Sequence, residues 1–206
     1  MALHIGPDEV GGDVGTQGLR RHPFRFSRNV PMANTMREIL EAREARWLRR
    51  LELSRRGTVL TVTLNVPGPD KTAPHWVNAH RRLCAILECG LRPFGLRYRE
   101  RNVAADGAEA HFVLGTDALK AKEIAVRFEE EHPAGRLVDA DVMDASGRPV
   151  GRDVLGLPPR RCLCCGRPAR DCAVLRAHPL EEVLARAEAI LDVVWEGAGG
   201  GERRDG

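Results

Sequence analysis

The spacing of apolar side chains divides the chain into helical and extended stretches. Met36, Ile39, Leu40, Trp47, Leu48 and Leu51 recur at helical spacing behind Thr35 and Glu38, which stand three apart as a capping box, so a helix is predicted over about 35–53. Residues 58–66 alternate instead, with Leu60, Val62, Leu64 and Val66 on one side and Thr61, Thr63 and Asn65 on the other, the pattern of a half-buried strand. Pro67-Gly68-Pro69-Asp70-Lys71 closes that strand with a stiff loop that keeps Lys71 near its end. Downstream the pattern predicts a helix over 74–89, strands near 97–103 and 110–114, and a helix capped by Thr116 and reaching Glu131. A strand over 136–143, a turn at Asp144-Ala145-Ser146-Gly147 and a last helix over 179–195 follow, the last burying Val183, Leu184, Ala187, Ile190 and Leu191. Mixed element order with short connections predicts a single α+β domain in two layers.

The ends differ from this middle. Residues 1–31 carry Gly6, Gly11, Gly12, Gly15 and Gly18 and no sustained apolar period, and 196–206 are glycine-rich and charged, so both are expected to stay unpacked around a working domain at 32–195. With 43% hydrophobic and 30% charged residues, the 206-residue chain suits one globular domain. No stretch approaches the ~20 apolar residues of a membrane span, and no signal-peptide pattern opens the chain, so a cytoplasmic protein without a membrane partner is expected. Thirty-two basic against 29 acidic residues, net +3, is too balanced for generic nucleic-acid binding. Six cysteines in such a protein favour metal ligation or burial over disulfides, and Cys84 and Cys89 on the second helix read as core.

Three groups can carry chemistry. Asp139 and Asp141 lie two apart in an otherwise apolar strand, which points both carboxylates to one face, about 6 to 7 Å apart. Such a pair needs water, a cation or arginine beside it, and hard oxygen ligands suit Mg²⁺ or Mn²⁺ and metal-assisted phosphoryl or nucleotidyl transfer; the alternative is a solvated strand face. Cys162, Cys165, Cys172 and His178 make a complete tetrahedral set for a structural Zn²⁺, with Cys164 pointing away; the alternative is a group of reduced, partly buried cysteines. Arg148, Arg152, Arg160, Arg161, Arg167, Arg170 and Arg176 suit phosphate or carboxylate clamping, above all Arg160 and Arg161 behind Pro158-Pro159, or else form a solvated basic face. His132, at a helix end before the aspartate strand, is a candidate general base or a helix-end cap. No nucleophile elbow, Walker loop or Rossmann glycine fingerprint is present.

Together these motifs resemble the apo-citrate lyase phosphoribosyl-dephospho-CoA transferases, the holo-acyl-carrier-protein synthases of citrate lyase. The block from Glu129 through His132-Pro133-Ala134-Gly135-Arg136-Leu137-Val138-Asp139-Ala140-Asp141 to Val142, followed by Leu157-Pro158-Pro159-Arg160-Arg161-Cys162-Leu163-Cys164-Cys165, is similar to that family in order and spacing. Ala42-Arg43-Glu44-Ala45-Arg46 and Asn65-Val66-Pro67-Gly68-Pro69-Asp70-Lys71 are similar too, and the resemblance covers about 35–193. It implies transfer of a phosphoribosyl-dephospho-CoA group from triphosphoribosyl-dephospho-CoA to a serine of the citrate lyase acyl carrier (gamma) subunit, with release of diphosphate. It also implies Mg²⁺ on Asp139 and Asp141, with Lys71, Arg136, Arg160 and Arg161 as triphosphate contacts. The Asp-x-Asp strand resembles the nucleotidyltransferase superfamily as well, with Gly135 nearer to it than the usual Gly-Ser loop. Two other readings stay open: a related transferase for another carrier, such as that of malonate decarboxylase, and a non-catalytic zinc-stabilised module binding an acidic partner.

Overall fold

A computed structural model describes residues 35–196, the side chain of Glu196 excepted; the expected unpacked segments at 1–31 and beyond Glu196 lie outside the described residues. In chain order the elements are α1 (Met36–Ser54), β1 (Thr58–Leu64), α2 (Pro74–Leu91), β2 (Leu96–Ala104), β3 (Gly107–Leu114), α3 (Ala118–Glu131), β4 (Val138–Met143), β5 (Pro149–Val150), α4 (Ala169–Val174) and α5 (Leu180–Glu196). The strands form one sheet in the order β2-β3-β1-β4-β5, with every pairing antiparallel.

The single α+β domain forms as the pattern predicts, with helices covering both faces of its one sheet. Leu60 and Val62 of β1, Phe112 and Leu114 of β3, and Val138, Ala140 and Val142 of β4 bury one sheet face against α2, α3 and α5, through Trp76, Leu83, Leu87, Ala121, Ala125, Ala187 and Leu191. The helix α1 lies on the opposite face, where Leu53 packs with Val59, Val113 and Met143. β1 is therefore covered on both faces rather than half-buried, and Thr61 is only 2% exposed.

Local chemistry explains where elements begin and which faces they bury. The capping box forms, with Thr35 Oγ1 accepting from the Glu38 amide at 3.2 Å and Glu38 Oε2 from the Thr35 amide at 2.7 Å. The third helix is capped by Asp117, whose carboxylate accepts from the Lys120 amide at 2.8 Å, rather than by Thr116, whose carbonyl is taken by Thr58 Oγ1. On α1 the inward positions are Ile39, Arg50 and Leu53, while Met36, Leu40 and Leu48 face solvent, because the half of the sheet beneath is polar. On α5, Ala187, Leu191 and Val194 are buried and Leu184 is exposed. Cys84 belongs to the core; Cys89 is exposed on the other side of α2, so that expectation fails.

β4 is short of partners. β5 pairs only with Val142 and Met143, which leaves the outer backbone of Val138 and Ala140 without a strand. Side chains take that place: the Ala140 amide donates to Glu129 Oε1 at 2.9 Å, the Ala140 carbonyl accepts from Lys122 Nζ at 2.9 Å, and the Val138 carbonyl accepts from Arg160 Nη2 at 2.6 Å. The Val138 amide closes back on the Gly135 carbonyl. That 3₁₀ turn, Gly135–Leu137, packs so tightly on the end of α3 that a Cβ at Gly135 would lie 2.3 Å from the Phe128 carbonyl oxygen and 2.6 Å from that of Glu129. Both obstacles are backbone and cannot swing aside. Gly135→Ala is therefore expected to destabilise the domain by about 3 kcal/mol, the upper end of overpacking costs; an unchanged melting temperature refutes this.

Candidate active site

The polar half of the sheet faces α1. Period two places Thr61 and Thr63 of β1, Glu109 and His111 of β3, and Asp139 and Asp141 of β4 on this face, in two cross-strand rows, Glu109–Thr63–Asp139 and His111–Thr61–Asp141. His111 is 1% exposed, with Nδ1 2.9 Å from Thr61 Oγ1. Arginines one helical turn apart on α1 compensate the carboxylates beneath. Arg46 reaches Asp106 at 2.7 Å and Glu109 at 3.6 Å, Arg49 holds Glu100 through two bonds of 2.6 Å, and Arg50 sits 3.3 Å from Asp141. Burial lowers the Arg50 pKa, with the Asp141 charge working against it. Arg50 Nε, Glu109 Oε2 and His111 Nε2 are buried with no hydrogen-bond partner.

The sequence-predicted pair is brought together here. Asp139 Oδ1 accepts from Arg160 Nη1 at 3.0 Å and Asp141 Oδ2 from Arg50 Nη1 at 3.3 Å, so arginine supplies the compensation that two carboxylates on one face demand. Asp141 keeps 56% and Asp139 48% of its side-chain surface open. Asp139 is nonetheless ringed by protein atoms, and that desolvation, followed by the Asp141 charge, raises its pKa against the pull of Arg160 and Lys122.

The predicted cations separate into engaged and available groups. Arg136 donates to the carbonyls of Arg161 and Cys162 at 2.9 and 3.0 Å. Arg160 is spent on Asp139, Val138 and the Arg136 carbonyl, and Arg152 on Glu129, Glu130 and Pro158. Arg161 is exposed, and no hydrogen bond or ion pair among the described residues uses its guanidinium. Lys71 donates to the Val66 carbonyl, and its pKa is lowered by burial and then by the neighbouring Arg43, with Asp106 opposing. His132 stacks on Phe128 at 5.0 Å and its Nδ1 accepts from the Ala134 amide at 3.1 Å, which assigns the neutral ring's proton to Nε2 and matches the helix-end reading.

The four predicted soft ligands also converge. Donor atoms of Cys162, Cys165, Cys172 and His178 all lie within 4.8 Å of one another, so the cluster can bind a metal such as zinc. Cys165 and Cys172 sulfurs are 3.5 Å apart and His178 Nε2 is 3.3 Å from Cys165 Sγ, close to the about 3.8 Å sulfur spacing of a tetrahedral zinc site. Glu182 stands 3.5 Å from His178 Nδ1 and turns Nε2 toward the thiols, as outer-shell carboxylates do. Cys164 stays outside the four-donor set, near Glu182. Arg176, with φ 48°, makes the left-handed turn after α4 that returns the chain toward Cys172.

Sequence reasoning missed Arg46, Arg50, Asp106, Glu109 and His111. The signal was present: Glu109 and His111 alternate with Ala108, Ala110 and Phe112 as the aspartates do in β4, and Arg43, Arg46 and Arg50 share one face of a helix.

Comparison with known proteins agrees with the resemblance in the motifs. Residues 34–194 match the family model described as apo-citrate lyase phosphoribosyl-dephospho-CoA transferase. A Streptococcus pyogenes protein named "Probable apo-citrate lyase phosphoribosyl-dephospho-CoA transferase" is 37% identical over 162 residues, 75% of this chain and 83% of its own length. Proteins of Shigella boydii and Escherichia coli named apo-citrate lyase phosphoribosyl-dephospho-CoA transferase are each 31% identical over 173 residues, 81% of this chain and 90% of theirs.

The geometry separates two adjacent arginines. Arg160→Ala removes an ion pair and the cap on the Val138 carbonyl, at about 1.5 to 3 kcal/mol for charge-assisted bonds, and is expected to lower the melting temperature by several degrees. Arg161→Ala is expected to leave it unchanged. Equal melting temperatures for the two variants contradict this assignment.

Proposed function

The chain belongs to the apo-citrate lyase phosphoribosyl-dephospho-CoA transferase family, and from that premise we propose that it moves the phosphoribosyl-dephospho-CoA group from triphosphoribosyl-dephospho-CoA to a serine of the citrate lyase acyl carrier subunit, releasing diphosphate. The observation that carries this reading is the Asp139–Asp141 pair, side by side on one partly open sheet face within the matched region.

The carboxylate pair fits a divalent ion that shares its remaining ligands with substrate phosphates, because both carboxylates keep open surface and point the same way. Bound there, Mg²⁺ or Mn²⁺ supplies charge that offsets the negative charge developing on the departing diphosphate. Arg50 and Arg160 hold the two carboxylates in place. The free guanidinium of Arg161 binds donor phosphate, and Lys71 and Arg43, two neighbouring cations, take a second part of the triphosphate. Zinc at Cys162, Cys165, Cys172 and His178 is structural, since all four positions are protein donors. A cytoplasmic setting suits these thiols, which stay reduced there, and no described helix is long and apolar enough to cross a membrane.

The test is incubation of purified protein with apo-carrier, triphosphoribosyl-dephospho-CoA and Mg²⁺, followed by intact-mass analysis. The citrate lyase carrier is expected to gain the mass of the group; gain only on another carrier, such as that of malonate decarboxylase, reassigns the acceptor. Asp139→Asn and Asp141→Asn keep volume and an acceptor for arginine but lose a hard anionic ligand, so each is expected to slow transfer roughly a thousandfold without unfolding. Near-normal turnover in both removes the metal from these residues. Protein purified without chelator is expected to carry about one equivalent of zinc, whose removal lowers thermal stability; metal analysis that finds none returns the cysteines to a plain thiol cluster.

A further inference from the structure

The Cys/His cluster and the aspartate strand are joined by a short path of contacts. The Cys162 amide donates to the Arg167 carbonyl at 2.8 Å and the Ala169 amide to the Arg160 carbonyl at 2.7 Å, with Arg161 bridged to Pro168. These bonds form a two-stranded turn whose ends are the ligand Cys162 and α4, which carries Cys172. Arg160 leaves this turn and reaches Asp139 at 3.0 Å and the Val138 carbonyl at 2.6 Å. Arg136 closes the path from the other side, through the carbonyls of Arg161 and Cys162.

The turn has almost nothing else to hold it. Between residues 151 and 179 the only buried residues are Cys162 and Cys172, two of the four donors. Val174 and Leu175 are 75% and 67% exposed, and Leu163 is the one side chain of this stretch that joins the main core. Apolar burial cannot order a segment of that kind, so its order rests on the donor cluster and on the arginine contacts.

We propose, building on the transferase reading above, that Arg160 is a positioning residue that makes the Asp139 carboxylate depend on metal at Cys162, Cys165, Cys172 and His178. With metal bound, the turn is fixed and Arg160 is held across Asp139 and the outer edge of β4. Without it, the turn loosens, Arg160 leaves, and Asp139 and Asp141 face each other with one cation fewer on a strand whose edge has lost a cap. Metal in the cluster thus governs the site of transfer without touching substrate.

Hydrogen exchange read by mass spectrometry tests this on four samples: wild type and Arg160→Gln, each metal-loaded and chelator-stripped. Glutamine keeps polarity but cannot span both partners. Stripping is expected to speed exchange in 138–142 of the wild type roughly tenfold, while Arg160→Gln already exchanges faster there when loaded and gains less than about twofold on stripping. Exchange in 160–178 should rise alike in both proteins. Equal increments at 138–142 in both, or none in the wild type, overturn the proposal. Should stripping unfold the chain, His178→Ala replaces it, since three thiolates remain. These measurements need no substrate, so they stand apart from the transfer assay. In that assay, loaded Arg160→Gln is expected to lose kcat with donor KM unchanged, whereas a raised KM with intact kcat makes Arg160 a donor contact and overturns the positioning role.

Discussion

The outer edge of β4 must be satisfied without a strand, and much of the site follows from that. An antiparallel strand exposes alternate amides and carbonyls on each side, and β5 is too short to reach Val138 and Ala140. Glu129, Lys122 and Arg160 close the gap with charged side chains rather than backbone. Those groups then set the field around Asp139. Arg160 and Lys122 favour its ionised form, while burial and Asp141 oppose it. Glu129 in turn has its pKa raised by burial and opposed first by Arg160, and Arg152 pairs with its other oxygen at 2.8 Å. A backbone requirement has therefore placed a ring of charge beside the Asp139 carboxylate.

The same trade shapes the opposite side of the sheet. A helix laid over an apolar face gains stability from area removed from water, but α1 covers a face half of which is Thr61, Thr63, Glu109, His111, Asp139 and Asp141. Only its C-terminal end finds a small apolar cluster, at Leu53, Val59, Val113 and Met143. Along the rest, Arg46, Arg49 and Arg50 contribute paired charge. Pairs of this type, from nearly buried to half-open, add little net stability, because desolvation and solvent screening cancel most of the attraction. The face beneath α1 is therefore held by compensated charge more than by apolar area.

The fold was largely legible because its elements follow simple periods. The strand alternation at Leu60, Val62 and Leu64 and the capping box at Thr35 and Glu38 each depend on neighbours a few residues away. The donor set Cys162, Cys165, Cys172 and His178 was legible because zinc restricts both residue type and spacing. What failed depended on tertiary company. Leu40 and Leu48 read as buried until the sheet beneath α1 proves polar, and Thr61 read as solvent-facing until α1 covers it. His111 and Arg50, 61 residues apart in the chain, become neighbours of one site only through the β1 register, which no local pattern records.

Arg160 and Arg161 show how far residue type alone can carry an assignment. Both follow the double proline, both are guanidiniums, and the motif offers no ground for separating them. The backbone does. In an extended segment adjacent side chains point to opposite sides, so once Arg160 turns to the edge of β4, Arg161 points away from that contact. A guanidinium has five donors; Arg160 commits its own to Asp139, Val138 and Arg136, while those of Arg161 stay unused among the described residues. Phosphate recognition needs donors that are not already committed, because breaking an internal charge-assisted bond to make an external one returns little net free energy. The geometry thus separates two residues that one motif joins: Arg160 fixes the Asp139 carboxylate, and the guanidinium of Arg161 is left uncommitted among the described residues.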